Sequence, residues 1–376
     1  MRTPDDQTSL TYEPSNRSNT PSLSVIVSVR NARDTLRPSL SAIRDSHLAR
    51  DSYELIIVDD ASSDDSAAIA ARYADTVVKL GGQGAGRAYA RNRGVELARG
   101  EVIAFVGADV VIRPDTLPRM LAMLTERSDI DAVSASHDKS SAGPNFVSQY
   151  WNLLSSFGET RHPGKCAQLA PGCSAVRRKA FLLAGMYDEW RFATEGVESV
   201  ELGERLLAGG RGVLLSADLE VTHLKRWHLR SLVREVWQRS RSLSRSLGYL
   251  RMRAAAPSEV VFTLTRTLTP AVALLGTVLL AAAFVPTAQV ASKVGVALMA
   301  VVLANFPVYR FYAKERGAMF AVLAAPLHIV AQVVAGVALC AGWLLRDVFG
   351  DVSPDATVQA YSEVGVETWP PVPRRL

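Results

Sequence analysis

Short apolar runs alternate with longer amphipathic stretches from Leu23 onward. Four of the runs, SLSVIVSV, ELIIVDD, TVVKL and EVIAFVGAD, are typical of strands that are buried on both faces. A stretch with helical periodicity follows each run, at 32–46, 62–73, 85–99 and 114–127. DAVSASH continues the series as a further strand. Repeated β-α-β units of this kind predict an α/β domain built on a mostly parallel sheet with helices on both sides.

Two of the predicted strands end in acidic residues. Asp59 and Asp60 end the second strand, and Asp109 ends the fourth. Because the carboxyl ends of parallel strands meet at one edge, and ligands of such sheets bind there, these acids mark a candidate site. The segment GGQGAGRAYARNRG between them supplies flexible glycines and cationic Arg87 and Arg91. It lacks the Walker and Rossmann spacings, which excludes a P-loop ATPase and a dinucleotide enzyme.

A basic amphipathic helix is predicted over 229–256, after this domain. From Lys225 to Arg253 there are nine Lys or Arg residues and one acid, Glu235. Trp237 and several aliphatic residues share the opposite side of the helix. Such a helix suits the headgroup layer of an anionic membrane. The alternative is a solvated helix that packs on its own domain.

Three apolar stretches follow within 259–345 and predict a membrane region. Stretches of about 20 apolar residues span a bilayer, and we expect helices at 264–285, 290–309 and 318–345. The segment Arg310–Arg316 is then a cytoplasmic loop, as its positive charge favours. A soluble helical domain with an apolar core is the alternative. Pro326 and His328 also leave open a re-entrant hairpin in the third stretch.

The composition limits the number of domains and the classes of protein that remain possible. A chain of 376 residues exceeds one ordinary domain, and 48% AVILMFWYC with 21% charged residues excludes a disordered chain. Only the polar ends, 1–21 and 346–376, are expected to be tails, with the first disordered, and the α/β domain then covers 22–228. Three cysteines favour neither a disulfide framework nor a zinc site. The net charge of +5 is modest, and we predict no nucleic-acid partner.

Several segments together resemble a known family. SVIVSVRN, ELIIVDDASSDDS and GAGRAYARNRGVELARGEVIAFVGADV are similar, in order and spacing, to the nucleotide-binding half of family 2 glycosyltransferases. The similarity continues through GCSAVRRKAF, AGMYDE and ESVELGERLLAGG to VTHLKRW, and so covers roughly 23–227. It implies a Rossmann-like GT-A fold, a nucleotide-diphosphate sugar donor, a divalent cation (Mg²⁺ or Mn²⁺) and inversion at the anomeric carbon.

The resemblance assigns donor-binding roles residue by residue. Asp60 would hold the nucleotide base or ribose near Arg30 and Asn31, and Arg91 would lie beside the base or the diphosphate. Asp109 matches the last acid of the family's Asp-x-Asp motif and would bind the metal. The first acid of that motif is replaced by glycine, which weakens metal binding without excluding it.

His223 matches a histidine that would complete the metal coordination or touch the diphosphate. With Arg226 and Trp227 it has the spacing of a Gln-x-x-Arg-Trp motif, in which the tryptophan stacks on the acceptor sugar. The alternative for Arg226 and Trp227 is an interfacial anchor for the basic helix.

The acid pair that would supply the catalytic base is incomplete. Where the family has Glu-Asp, this chain has Glu198 and Ser199. Glu198 is the substitute base that would take the proton from the acceptor hydroxyl, with Glu195 and Glu201 behind it.

Two functions follow from these features. The first is a membrane-anchored, inverting hexosyltransferase-type enzyme of cell-envelope polysaccharide biosynthesis. It would be multi-pass in the inner membrane, with a cytoplasmic catalytic domain and a lipid-linked or surface-glycan acceptor. The second is a catalytically inactive, glycosyltransferase-like membrane protein that acts as a binding or assembly module. Gly107 and Ser199 favour it, because both fall at chemical positions.

Overall fold

The fold is known from a computed structural model, which describes 20–82, 84–160, 164–165, 169–189, 198–253, 302–303 and 305–349. Its strands are β1 Leu23–Val29, β2 Tyr53–Asp59, β3 Thr76–Lys79, β4 Val102–Val106, β5 Val110–Ile112, β6 Ala132–His137, β7 Gly164–Lys165, β8 Cys173–Arg177 and β9 Val213–His223. Its helices are α1 Arg33–Arg44, α2 Ser66–Ala70, α3 Arg87–Leu97, α4 Thr116–Glu126, α5 Phe146–Thr160, α6 Arg178–Leu183, α7 Glu198–Ala208, α8 Leu229–Arg253, α9 Phe306–Arg316 and α10 Ala318–Phe349.

The strands form one mixed sheet rather than the mostly parallel sheet that we predicted. Its order is β3-β2-β1-β4-β8-β6-β9-β5, with β7 on β9. Strands β1 to β4 are parallel, as predicted, but β8 inserts antiparallel between β4 and β6. A buried strand has the same pattern of apolar residues whether it pairs in parallel or antiparallel. The sequence pattern therefore does not indicate the direction of a strand.

Both faces of the sheet are covered, which explains the continuous apolar strands. On β1, Leu23, Val25, Val27 and Val29 join the core on one face and Ile26 joins the core on the other. Helix α3 approaches the second face closely at Gly94, because a Cβ there would lie 2.6 Å from Cγ2 of Ile26. A glycine in mid-helix is therefore required for this packing.

The C-terminal helices pack against the α/β domain. Helix α10 makes its most extensive contacts with α8, and a buried cluster joins residues of α5, α8, α9 and α10. The segment Arg310–Arg316, which we expected to be a loop, is the second half of α9. This half of α9 contacts the α/β domain, since Lys139 Nζ lies 2.9 Å from Oε1 of Glu315. The predicted loop is therefore wrong.

One helix among the described residues, Ala318–Gly342 within α10, is long and apolar enough to cross a membrane. It continues through Pro326 without ending, so the hairpin alternative does not hold. Only 39% of its most apolar 18-residue stretch is buried. Every seventh residue along one side is exposed and apolar, namely Leu323, Val330, Val337 and Leu344. The predicted span 264–285 and most of 290–309 lie outside the described residues. The last residues of 290–309, from Phe306, begin α9 instead.

Candidate donor and acceptor site

The end of β2 and the glycine-rich loop meet at Asp60. Its two carboxylate oxygens accept hydrogen bonds from the backbone N–H groups of Ala85 (2.6 Å) and Gly86 (3.0 Å). Three loop glycines have positive φ, the region that favours glycine: Gly82, Gly84 and Gly86. A Cβ at Gly84 would lie 2.3 Å from Nη1 of Arg30, so the loop and Arg30 are in close contact. Asp60 therefore shapes the loop that borders this edge.

The end of β1 is joined to the segment that follows β2. Asn31 has a φ of 50°, and its Oδ1 accepts a hydrogen bond from the backbone N–H of Ser63 at 2.8 Å. Arg30 Nη1 lies 3.8 Å from Oδ2 of Asp60. The structure thus brings Arg30, Asn31 and Asp60 to one corner of the sheet edge, as the sequence predicts for parallel neighbours.

Strand register brings Asp109 and His223 together although they are far apart in the chain. Strands β5 and β9 are antiparallel with Val110 opposite His223, and the backbone N–H of Leu224 donates to the Asp109 carbonyl at 2.7 Å. His223 Nε2 lies 3.4 Å from Oδ2 of Asp109. The predicted metal pair is therefore adjacent in the structure.

Cationic side chains surround Asp109. Burial raises the pKa of Asp109, but the neighbouring His223, Arg87 and Lys225 outweigh it, and the pKa of Asp109 lies below its usual value. Burial lowers the pKa of His223, against the attraction of Asp109. The sequence does not predict that Arg87 and Lys225 lie near Asp109.

This pair fits a divalent cation that shares its coordination with a diphosphate. Mg²⁺ is often held by one or two protein ligands together with substrate phosphates and water. No group of three or more His, Cys, Asp and Glu side chains that could hold a metal ion is found among the described residues. A Cβ at Gly107 would lie 3.0 Å from both Oδ1 of Asp109 and Cγ2 of Val110, so a larger residue there requires these atoms to move.

Glu198 and Ser199, at the start of α7, meet two arginines of α3. Oε1 of Glu198 lies 3.6 Å from Nη1 of Arg91 and 3.8 Å from Nη1 of Arg87. Arg91 also donates to Ser199 Oγ at 3.3 Å and to the Pro171 carbonyl at 2.9 Å. Both carboxylate oxygens of Glu198 are buried, and neither has a hydrogen-bond partner within the described residues.

The Arg226–Trp227 pair has one exposed and one buried member. Trp227 is 5% exposed, and its backbone N–H donates to Ser148 Oγ at 2.7 Å. Nζ of Lys225 lies 4.0 Å from the centroid of its ring, and the ring of Trp151 lies 5.7 Å away. Arg226 is exposed.

Two further residues at this edge were not predicted. His137, the last residue of β6, lies with its ring 5.6 Å from that of His223, and Glu159 of α5 binds it. Burial lowers the pKa of His137, but Glu159 raises it by more. The only signal in the sequence was a histidine at the end of a predicted strand.

The sequence profile of the family described as Glycosyl transferase family 2 matches residues 24–183, from β1 through α6. This segment is similar to the family 2 glycosyl transferases. The match includes Asp60, Arg91 and Asp109. Glu198 and the residues of β9 follow it in the chain.

Curated relatives and a solved structure are also similar to this chain. The chain is 38% identical over 116 residues to the putative glycosyltransferase EpsH of Bacillus subtilis (strain 168), which is 30% of this chain and 33% of EpsH. It is 34% identical over 113 residues to the succinoglycan biosynthesis protein ExoO of Rhizobium meliloti (strain 1021), which is 29% of this chain and 30% of ExoO. The chain thus matches about a third of the length of these curated relatives.

The solved structure is the mannosyltransferase PcManGT from Pyrobaculum calidifontis, in complex with GDP-Man and Mn²⁺. The TM-score is 0.58 with 18% identity, and the alignment covers 90% of this chain and 91% of that chain. At this identity the likeness concerns the fold alone. The predicted α/β, GT-A-like fold is confirmed, with a mixed sheet.

Proposed function

We propose that this protein is a glycosyltransferase of polysaccharide biosynthesis. It moves a sugar from a nucleoside-diphosphate donor to a hydroxyl group of a lipid-linked or glycan acceptor. The observation that carries the proposal is the cluster at the carboxyl edge of the sheet, where Asp109 and His223 lie 3.4 Å apart next to Arg87 and Lys225. The names of EpsH and ExoO, and the GDP-Man and Mn²⁺ bound by PcManGT, support the same chemistry.

The donor occupies the edge from β2 to β4. Its nucleoside lies at Asp60, Arg30 and Asn31, and its diphosphate lies at Asp109 and His223. A divalent cation bound there supplies charge neutralisation for the leaving diphosphate. Arg87 and Lys225 add fixed positive charge close to the same point, which stabilises the negative charge that develops as the sugar–phosphate bond breaks.

Glu198 is the proposed base. In a single displacement, the acceptor oxygen bonds to the anomeric carbon as the bond to the diphosphate breaks, which inverts that centre. The hydroxyl proton passes to a carboxylate oxygen of Glu198, and neither of these oxygens has a hydrogen-bond partner among the described residues. Arg91 holds Glu198 and Ser199 together and so fixes the start of α7.

The direct test is donor cleavage by the full-length chain. We expect one nucleotide sugar, in a panel of UDP-, GDP- and dTDP-sugars with Mn²⁺ or Mg²⁺, to release its nucleoside diphosphate, measured by chromatography. Release should depend on the divalent ion, which EDTA removes. Donor binding without release or transfer favours the binding-module function instead. Neither binding nor release with any donor contradicts the proposal.

We also propose that the protein is attached to the cytoplasmic side of the inner membrane, where nucleotide sugars are made. The exposed apolar stripe on α10 faces lipid, and the basic residues of α8 meet anionic headgroups. Helix α9 stays on the catalytic side, because Glu315 and Arg316 bind Lys139 of the α/β domain. The additional spans 264–285 and 290–309, the second only as far as the start of α9 at Phe306, are part of this multi-pass proposal.

Cysteine labelling tests the topology. Lys314→Cys and Ser353→Cys are placed separately in a chain from which the three native cysteines have been removed. With an impermeant thiol reagent on intact cells, we expect no labelling at 314 and labelling at 353, because α10 crosses the membrane between them. Labelling at 314 after permeabilisation shows that the cysteine is reactive. Labelling at 314 in intact cells contradicts the orientation, and protection at 353 contradicts the crossing.

A further inference from the structure

Lys225 lies between two partners at the edge of the site. Its Nζ is 3.7 Å from Oε2 of Glu235 and 4.0 Å from the centroid of the Trp227 ring. The preceding residue, Leu224, donates its backbone N–H to the Asp109 carbonyl at 2.7 Å, so the lysine emerges beside Asp109. The ammonium group that we assign to the donor diphosphate therefore already has a carboxylate partner within the protein.

Helix α8 carries Glu235 next to the face that it buries. That face consists of Leu232, Val236 and Ser240, which follow one another at every fourth residue. The side chain of Glu235 lies beside this row and is 32% exposed. From 225 to 253 the chain has nine Lys or Arg residues, and Glu235 is the only acid. A helix that only met anionic headgroups would gain nothing from this acid, because it repels them.

The charge of Glu235 also reaches the second cation of the site. Burial lowers the pKa of Arg87, but three carboxylates outweigh this effect, and the pKa lies above its usual value. These carboxylates are, in decreasing order of effect, Glu198, Asp109 and Glu235. Arg87 and Lys225 thus face protein carboxylates before a donor binds. A diphosphate must compete with Glu235 for the same positive charge.

We propose that Glu235 is an internal counter-ion that competes with the diphosphate for Lys225 and so speeds the release of the nucleoside diphosphate after transfer. The proposal deepens the proposed function and rests on it, because it concerns the same donor site. A diphosphate carries more negative charge than one carboxylate, so it displaces Glu235 from Lys225 on binding. Once the sugar has been transferred, the return of Glu235 to the ammonium group weakens the hold on the product.

Two other roles of Glu235 predict different results. If Glu235 only tied α8 to the segment before it, loss of its charge would change the thermal stability and leave nucleotide affinity as it is. If Glu235 bound the divalent cation, loss of its charge would weaken nucleotide binding in Mn²⁺. Only a competing counter-ion predicts tighter nucleotide binding both with and without the metal.

The test is the nucleotide affinity of Glu235→Gln, which keeps the shape of the side chain and removes its charge. In the full-length chain we expect UDP or GDP to bind about fivefold more tightly by calorimetry, both in Mn²⁺ and in EDTA. The rate of nucleotide release, measured by surface plasmon resonance, should fall by a similar factor, because affinity changes within one site appear mainly in the dissociation rate. The gain should shrink at high ionic strength, since salt screens the repulsion.

Three further measurements show where the effect acts. Uridine or guanosine, which has no phosphate, should bind the variant and the parent equally in an NMR titration. Lys225→Gln should weaken UDP or GDP binding, and Glu235→Gln should add little on that background, because it acts through Lys225. Glu96→Gln is the matched control and should not change affinity. Glu96 is 33% exposed and pairs with Arg93 at 2.6 Å near the end of α3.

Unchanged or weaker UDP and GDP binding in Glu235→Gln overturns this proposal and leaves the proposed function in place. Glu235→Asp keeps the charge but shortens the side chain by one methylene, so its affinity should lie between those of the parent and Glu235→Gln. A parent chain that binds no nucleotide overturns both proposals. Nucleotide binding without donor cleavage or transfer contradicts the proposed function, while the calorimetric comparison still decides the role of Glu235.

Discussion

Glu198→Gln is expected to lower sugar transfer at least about a hundredfold and to lower the free energy of unfolding by about 3 kcal/mol. The Glu198 and Arg91 side chains are 1% and 3% exposed and lie 3.6 Å apart. The amide keeps the shape of the side chain but cannot take a proton, which accounts for the loss of transfer. It also leaves the buried guanidinium of Arg91 without its counter-charge, which accounts for the loss of stability.

Thermal unfolding and transfer, both measured below the melting temperature of the variant, separate these two effects. Nucleotide affinity should stay close to that of the parent, since Glu198 is assigned to the acceptor proton. Glu126→Gln, at the exposed end of α4, is the matched control and should change neither quantity. Parental turnover in Glu198→Gln would show that the base lies elsewhere.

Ser199→Asp restores the acid pair that the resemblance implies. Arg91 already donates to Ser199 Oγ at 3.3 Å, so the new carboxylate has a cationic partner in place. We therefore expect transfer to be kept or raised.

Asp109→Asn should weaken the binding of UDP or GDP about a hundredfold in the presence of Mn²⁺, because the cation loses its anionic protein ligand. In EDTA we expect the substitution to have the opposite effect on nucleotide affinity. The carboxylate then only repels the diphosphate, and its removal leaves Arg87, Lys225 and His223 as a more positive surface. Binding without metal should therefore be unchanged or tighter.

Calorimetry with and without the chelator measures the change in nucleotide affinity under both conditions. Asp45→Asn, at the exposed C-terminal end of α1, should behave as the parent in both conditions. Equal affinities of Asp109→Asn and the parent in Mn²⁺ would contradict the assignment of Asp109 to the cation.

The corner that we propose for the nucleoside could be predicted from the sequence because it depends on parallel neighbours. Strands β1 and β2 are both continuous apolar runs that pair in parallel, so Arg30, Asn31 and Asp60 had to emerge at the same edge. The motif around Gly94 was also visible in the sequence. The sequence did not show why a glycine is needed there, which is that a Cβ on Gly94 would lie 2.6 Å from Cγ2 of Ile26.

The position of His137 and Glu159 could not be predicted in this way. Strand β8 enters antiparallel between β4 and β6, and the end of β6 therefore lies two strands away from that of β4. Glu159 lies 22 residues after His137, on a helix whose periodicity does not indicate which strand it will meet. A lone histidine in a short strand carried no sign that a buried carboxylate would hold it.

By itself, the sequence determined the first four strands with the helices that follow them, the acids at the ends of β2 and β4, and the apolar character of 318–345. Each of these depends on neighbours a few residues apart, through side-chain periodicity and turn chemistry. The tertiary structure decided which distant side chains meet. The register that sets Val110 opposite His223 joins Asp109 to the end of β9, and the packing of α3 on α7 joins Arg91 to Glu198. Such contacts depend on strand order, direction and register, and a one-residue shift in register would turn the same side chains to the other face.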